Sequence, residues 1–199
     1  MELENLVQAV TDSLFVELEA SGRHVHVTEE QAMTLFGHPL TPARPLSQPG
    51  QFLARERVTL VGEKGEFRDV AVLGPERREG QVEISLTDGR VLGIAPPVRL
   101  SGDVEGTPGI VLVGSNGRVE LTQGVIAAKR HIHLTPRAAA HFGVKNGENV
   151  KLKALTRRPV IFEDVSVRVS EQFAPFAHLD YDEANACGFC RGDLGRILK

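Results

Sequence analysis

The chain contains nearly the same short motif twice, and this repeat constrains its fold more than any other feature. The first His motif, residues 21–28, reads Ser-Gly-Arg-His-Val-His-Val-Thr, and the second, residues 128–135, reads Ala-Lys-Arg-His-Ile-His-Leu-Thr. Side chains two residues apart on a strand point to the same face, so each motif places two imidazoles side by side. Because imidazole is a common metal ligand, the motifs predict two metal-binding segments on strands.

The same pattern of local structure is expected after each motif. Thr28 is predicted to cap a short helix that ends at Gly37, and Thr135 to cap another that ends at Gly143. The two motifs are separated by the length of a small domain, which is too long for a solenoid repeat. The sequence therefore predicts two domains related by duplication.

The rest of the chain favours β structure, because short apolar segments alternate with Gly and Pro turns. The predicted fold is mainly β: two small β-barrel domains related by duplication, each capped by short α-helices. An amphipathic helix is expected at residues 1–12, for packing on the protein or for docking a partner. One barrel is expected from residues 13–22 with 129–199, and the second from residues 23–128 with a Pro-rich excursion around 37–57.

The predicted strands are short and are bounded by Gly or Pro turns. They are expected at residues 58–61, 69–73, 81–86, 91–94, 98–100, 110–113, 119–121, 149–154, 160–162 and 164–169.

Composition excludes several classes of function. A formal net charge of -3 argues against a nucleic-acid binder. No apolar run approaches the roughly 20 residues of a membrane helix, and residues 1–20 do not have the pattern of a secretory signal. Cys187 and Cys190 are too close in sequence for a disulfide between them to crosslink distant parts of the fold, and they are interpreted as incidental. We expect a cytoplasmic protein.

A metal site usually needs at least three protein donors, so each His pair requires a further ligand. His38 and His141 both fall at predicted helix ends and are interpreted as structural. His178 lies in a polar cluster after a strand and can complete one three-His site.

Glu83 is the best candidate for the other pair. It lies on the predicted strand 81–86, where Val82, Ile84 and Leu86 are expected to form the buried face and Glu83 to point the other way. A solvated strand face is the alternative reading for Glu83. A purely structural role is the alternative for both His pairs.

These residues belong to a longer series of motifs, and the chain resembles the PduL-type phosphotransacylases, the phosphate propanoyltransferases associated with bacterial microcompartments. The resemblance extends from Ser21 to Ala186. Its motifs lie at residues 21–27, 45–52, 72–75, 77, 81–85, 87–88, 101–103, 124–127, 130–133 and 182–186.

The resemblance implies two small β-barrels with a two-zinc site near their junction. The first zinc would be held by His24, His26 and Glu83, and the second by His131, His133 and His178. Arg77 would be the catalytic residue that binds phosphate. The implied coenzyme A contacts are Ala20, Ser21, Gly22, Lys64 and Asn185.

The implied reaction exchanges a propanoyl or acetyl group between coenzyme A and inorganic phosphate and gives an acyl phosphate. A homodimer, shell or lumen proteins of a microcompartment as partners, and a location inside that compartment are also implied. The chain departs from the family pattern at Ala71, where many relatives have arginine, so Arg68 could replace that contact. A zinc hydrolase and a non-catalytic metal-stabilised module are the alternatives.

Overall fold

The computed structural model describes Thr11 and residues 13–199, which form two compact units. One unit comprises the described residues up to Ser21 together with Arg130–Lys199, and the other comprises Gly22–Lys129. The helix predicted at residues 1–12 lies outside the described residues apart from Thr11. No described helix combines the length and the apolar character needed to cross a bilayer.

Short strands and short helices alternate along the chain. The strands are β1 (Val16–Ser21), β2 (His24–His26), β3 (Pro42–Pro45), β4 (Phe52–Val61), β5 (Glu66–Gly74), β6 (Gln81–Glu83), β7 (Val98–Arg99), β8 (Ile110–Val113), β9 (Arg118–Leu121), β10 (Val125–Ala128), β11 (His131–Leu134), β12 (Asn149–Leu155), β13 (Val160–Val169), β14 (Phe176–Asp180) and β15 (Leu194–Leu198). The helices are α1 (Glu29–Phe36), α2 (Leu86–Leu92), α3 (Pro136–Phe142) and α4 (Tyr181–Cys187).

The first unit is a closed barrel in the strand order β1-β14-β11-β13-β12-β15, with β15 returning to pair with β1. Its strands carry apolar side chains on the inner face: in β12, Val150, Leu152 and Ala154 are buried and the residues between them are exposed. This alternation is the pattern of a half-buried strand. Ile132, in the second His motif, packs into the same core.

The second unit is a curled sheet in the order β7-β10-β6-β2-β5-β4-β8-β9, with β3 paired beside β4. The Pro-rich β3 pairs only with β4 among the strands of this unit, so its prolines do not interrupt a central ladder. The predicted mainly β fold of two barrel-like units with short helices is therefore confirmed.

Both units have the same connectivity around the His motif. β2 pairs antiparallel with β6 and parallel with β5, and β11 pairs antiparallel with β14 and parallel with β13. The strand that precedes each His motif does not belong to the unit that contains the motif. β1 precedes the first motif but pairs in parallel with β14 of the first unit, and β10 precedes the second motif but pairs in parallel with β6 of the second unit. This shared connectivity supports an origin by duplication.

The helix caps predicted after each motif are confirmed. Thr28 accepts a hydrogen bond from the amide of Gln31, and Thr135 accepts one from the amide of Ala138. Gly37 and Gly143 end these helices in the left-handed conformation.

Two strand predictions are wrong. The strand expected at residues 81–86 ends at Glu83, and residues 91–94 are not a strand, because α2 covers Leu86–Leu92. Ser85 caps α2 and forms a capping box with Asp88. This spacing of Ser and acid is a helix-start pattern that the apolar residues around it obscured.

Each unit contains one aspartate with a positive φ at the same place in the sheet. Asp69 has φ 57 in β5, and Asp164 has φ 54 in β13. They lie two residues before Ala71 and Ser166, the parallel partners of His24 and His131. The pairing between β4 and β5, and that between β12 and β13, shifts register in these regions, which is the behaviour of a β-bulge.

Candidate metal centres

The structure brings together the first His pair and Glu83. His24 and His26 lie on β2, and Glu83 lies on β6 directly opposite His24 in the register. The Nε2 atoms of the two histidines are 3.2 Å apart, and Nε2 of His24 is 3.5 Å from Oε2 of Glu83. All three residues are buried, with exposed fractions of 7%, 2% and 7%. They form a compact set of donors, which we call the Glu83 cluster.

The hydrogen bonds of the two imidazoles indicate that this cluster fits a cation. Nδ1 of His24 lies 2.8 Å from the carbonyl oxygen of Gly22, and Nδ1 of His26 lies 3.2 Å from that of Leu73. A carbonyl only accepts, so each Nδ1 carries the proton. When both rings are neutral, their Nε2 lone pairs face one another, an arrangement that a bound cation would stabilise.

Glu83 is buried, so the reading of it as part of a solvated strand face is wrong. β6 is buried at all its residues because it pairs with β2 on one side and β10 on the other. Burial alone would raise the pKa of Glu83, but the charge and hydrogen bond of His24 outweigh it and lower the pKa well below the usual range. Glu83 is thus an anionic donor at neutral pH.

The second His pair meets His178. His131 and His133 lie on β11, and His178 lies on β14 opposite His131. The ring centroid of His178 lies 4.9 Å from that of His131 and 4.9 Å from that of His133. We call this set the three-His cluster. Oε2 of Glu19 lies 3.5 Å from Nδ1 of His178, which places a carboxylate behind this imidazole.

His133 differs from the histidines of the Glu83 cluster because stacking, not hydrogen bonding, orients it. Its two ring nitrogens are buried without a hydrogen-bond partner, and its ring stacks on Phe173 with centroids 4.1 Å apart. Burial, together with the charges of His131 and Arg168, lowers the pKa of His133 to about 3. A neutral imidazole with no hydrogen bond is a suitable metal ligand.

Arg77 is connected to the Glu83 cluster through two polar side chains. Its Nη1 donates to Oγ of Ser101 at 3.1 Å, and Nε2 of Gln81 donates to that same oxygen at 2.8 Å. Gln81 Nε2 also donates to Oε1 of Glu83 at 2.6 Å. A cavity of about 300 Å³ opens beside Arg77 and Gln81. An anion bound there would face a permanent positive charge.

Sequence reasoning missed Ser101 and Gln81 as site residues. Gln81 lies two residues before Glu83 on β6, so the strand period places both side chains on one face and could have identified Gln81. Ser101 follows β7 in a turn, and nothing in the local sequence indicates that it reaches Arg77.

The coenzyme A contacts implied by the resemblance are distributed over both units. Ala20 and Ser21 end β1, and Asn185 is exposed on α4. Gly22 precedes the first His pair, and its carbonyl binds His24. The amide of Lys64 donates to the carbonyl of Leu92 at the end of α2, which fixes the β4–β5 turn on that helix. Their roles in binding stay predictions.

The departure from the family pattern at Ala71 lies on β5, where the residue is half-buried and pairs with His24. Arg68 is exposed and its guanidinium contacts Glu66 at 2.7 Å. Cys187 is buried at the end of α4 and Cys190 is exposed, and both are free thiols.

Comparison with known proteins assigns the family. The family model described as phosphate propanoyltransferase matches residues 17–190. The chain is 49% identical to a phosphate propanoyltransferase of Clostridioides difficile (strain 630), over 99% of this chain and 95% of that protein. It is 54% identical to one of Enterococcus faecalis, over 92% and 88%, and 53% identical to one of Thermotoga maritima, over 90% and 87%. The chain therefore belongs to the phosphate propanoyltransferase family and is an acyltransferase.

Proposed function

We propose that this protein exchanges a short acyl group, propanoyl or acetyl, between coenzyme A and inorganic phosphate, with one zinc ion at each of the two clusters. Membership in the family supports acyl-CoA and phosphate as substrates. The observation that carries the proposal is the hydrogen-bonded connection from Glu83 through Gln81 and Ser101 to Arg77. It joins a set of metal ligands to a cation suited to phosphate.

The donor sets suit zinc. The Glu83 cluster offers two imidazole nitrogens and one carboxylate oxygen, and the three-His cluster offers three imidazole nitrogens. All the donor atoms of a cluster lie within 4.8 Å of one another. Three protein ligands leave a fourth tetrahedral position for a substrate, as in catalytic zinc sites. When bound, zinc would act as a Lewis acid that polarises an oxygen of the substrate.

The residues of the chain would hold phosphate in place for direct attack. The planar guanidinium of Arg77 can donate two parallel hydrogen bonds to phosphate oxygens, and it stays charged at any relevant pH. Ser101 restrains that guanidinium by accepting one of its hydrogen bonds. In the reaction an oxygen of phosphate bonds to the acyl carbon, the carbon–sulfur bond breaks, and coenzyme A leaves as its thiolate.

The two clusters are expected to differ in role because they differ in charge. Glu83 contributes a carboxylate to the first donor set, whereas the second consists of three imidazoles, which are neutral when they bind a metal. A cation in the first cluster would therefore keep less net charge than the same cation in the second. Arg77 connects to the Glu83 cluster, so we assign substrate chemistry to that cluster and a supporting role to the other.

A thiol-release assay tests this function. Acetyl-CoA and propanoyl-CoA are supplied with and without inorganic phosphate to protein of measured zinc content. Release that requires phosphate and produces an acyl phosphate is expected. Release that is independent of phosphate would identify a zinc hydrolase. In a single turnover without phosphate, accumulation of a covalent acyl-enzyme would exclude direct attack.

We also propose a cytoplasmic homodimer that can be enclosed in a bacterial microcompartment through partners in its shell or lumen. The resemblance of the chain to microcompartment phosphotransacylases supports this. Sedimentation of the purified chain at several concentrations tests the dimer, and a monomer throughout would exclude it. Fusing residues 1–12 to a fluorescent protein tests whether they direct encapsulation, and a fusion that stays diffuse in cells with compartments would exclude that role.

A further inference from the structure

Each His motif contains an arginine, directly before its first histidine, that binds an acidic residue in the first turn of a helix. Nε and Nη2 of Arg23 donate to Oδ2 and Oδ1 of Asp88 at 3.1 and 2.7 Å. Nη1 of Arg130 donates to Oε1 of Glu183 at 2.7 Å. Each Arg–acid pair lies within a single unit: the first lies in Gly22–Lys129 and the second in Arg130–Lys199.

The two acids occupy equivalent positions. Asp88 and Glu183 are each the third residue of a helix and each complete a capping box, with Ser85 and Asp180 as the N-caps. The third donor of each cluster, Glu83 or His178, comes two residues before that N-cap. Each arginine thus connects the strand of the His pair to the helix that directly follows the third donor.

The surroundings of the two pairs make them rigid. The Asp88 side chain is 7% exposed, and the guanidinium carbon of Arg23 lies 4.2 Å from the centre of the Phe67 ring. Glu183 is 17% exposed, and Nε of Arg130 also donates to the carbonyl of Glu163 at 2.7 Å. Partly buried, charge-assisted hydrogen bonds of a planar guanidinium fix both distance and orientation.

We propose that Arg23 and Arg130 are positioning residues, each of which holds the third donor of its own cluster against the His pair through the capped helix that follows. The occurrence of the same Arg–acid pair in both units, with different acids and different third donors, supports a role tied to the clusters. This inference rests on the proposed binding of zinc. Removing a group that hydrogen-bonds to a metal ligand typically lowers metal affinity by about 10- to 100-fold, and the lower end of that range is expected for an arginine that acts through the following helix.

The test measures zinc affinity separately at each cluster, by competition with a chromophoric chelator. A His133→Ala background keeps the Glu83 cluster, and a His26→Ala background keeps the three-His cluster. Arg23→Gln and Arg130→Gln are placed in each background, so each variant is the matched control for the other. Absorption spectra of Co²⁺ bound to the otherwise unchanged chain report the ligand geometry without either background.

Arg23→Gln is expected to weaken zinc binding at the Glu83 cluster by about 10-fold or more and to leave the three-His cluster unchanged. Arg130→Gln is expected to do the reverse, and each variant should alter only part of the Co²⁺ spectrum. Equal weakening at both clusters, or unchanged affinity at both, would overturn the inference. If the parent chain binds no zinc, the proposed metal centres themselves are wrong. This outcome is distinguishable from failure of the inference about the arginines, because it appears before either arginine is substituted.

Discussion

Glu83 is the direct register partner of His24 across the antiparallel pair of β2 and β6. The same register places His178 opposite His131 in the other unit. Directly opposed residues of an antiparallel pair have Cβ atoms roughly 4.5–5.5 Å apart, so a cross-strand partner always lies within reach of a His-x-His pair. One strand contributes two donors to each cluster, and its antiparallel neighbour contributes the third.

Substituting Glu83 tests the anionic ligand. Glu83→Gln keeps the size of the side chain but removes its charge, and we expect the zinc content of the purified protein to fall from the proposed two ions to one per chain. Elemental analysis after dialysis against a weak chelator measures this. Glu120→Gln, on the exposed part of β9, is the control for loss of an acid. Two tightly bound ions in Glu83→Gln would contradict the assignment.

Substituting Arg77 separates phosphate binding from metal binding. Hydrogen bonds to a charged group contribute about 1.5–3 kcal/mol, so Arg77→Ala is expected to raise the KM for phosphate by at least about tenfold. Zinc content should not change, because Arg77 reaches Glu83 only through Ser101 and Gln81. Arg118→Ala, an exposed position on β9, provides the control. Loss of zinc from Arg77→Ala would show that the residue belongs to the metal site instead.

Phe173 is expected to matter for the three-His cluster because its ring orients His133. A stacked pair contributes about 0.5–1.5 kcal/mol, so Phe173→Leu should weaken zinc binding at this cluster by roughly twofold to tenfold. Phe173→Tyr keeps the ring and should retain the affinity of the parent. Chelator competition measures both variants, and equal affinity in the Leu and Tyr variants would argue against the stacking role.

The left-handed conformation of Asp69 predicts an unusual order of stabilities. A β-branched residue is strained at this φ, so Asp69→Val should lower the free energy of unfolding by about 1–2 kcal/mol, while Asp69→Gly should change it little. The side chain is 86% exposed and lies 3.8 Å from Arg57, so loss of that contact has little effect.

Urea denaturation compares these variants. Arg68→Val, at the adjacent exposed position on the same strand, is the control and should be far less destabilising than Asp69→Val. If Asp69→Gly proves as unstable as Asp69→Val, backbone strain is not the cause.

Local patterns predicted the parts of the fold that depend on nearby residues. The caps at Thr28 and Thr135 and the stops at Gly37 and Gly143 are contacts across three or four residues, and they form as expected. Periodicity alone does not identify α2, because an apolar segment of this length fits a strand as well as a helix. The capping box of Ser85 and Asp88 decides the matter in favour of the helix.

The repeated His motif by itself determined that the chain has two equivalent halves and two places where imidazoles converge. Tertiary structure alone decided that Glu83 is buried, that Ser101 reaches Arg77, and that Arg23 and Arg130 bind the helices that follow the third donors. The physical reason is distance along the chain. Residue spacing within a strand fixes which side chains share a face, whereas the choice of neighbouring strand and its register fixes which distant side chains meet them.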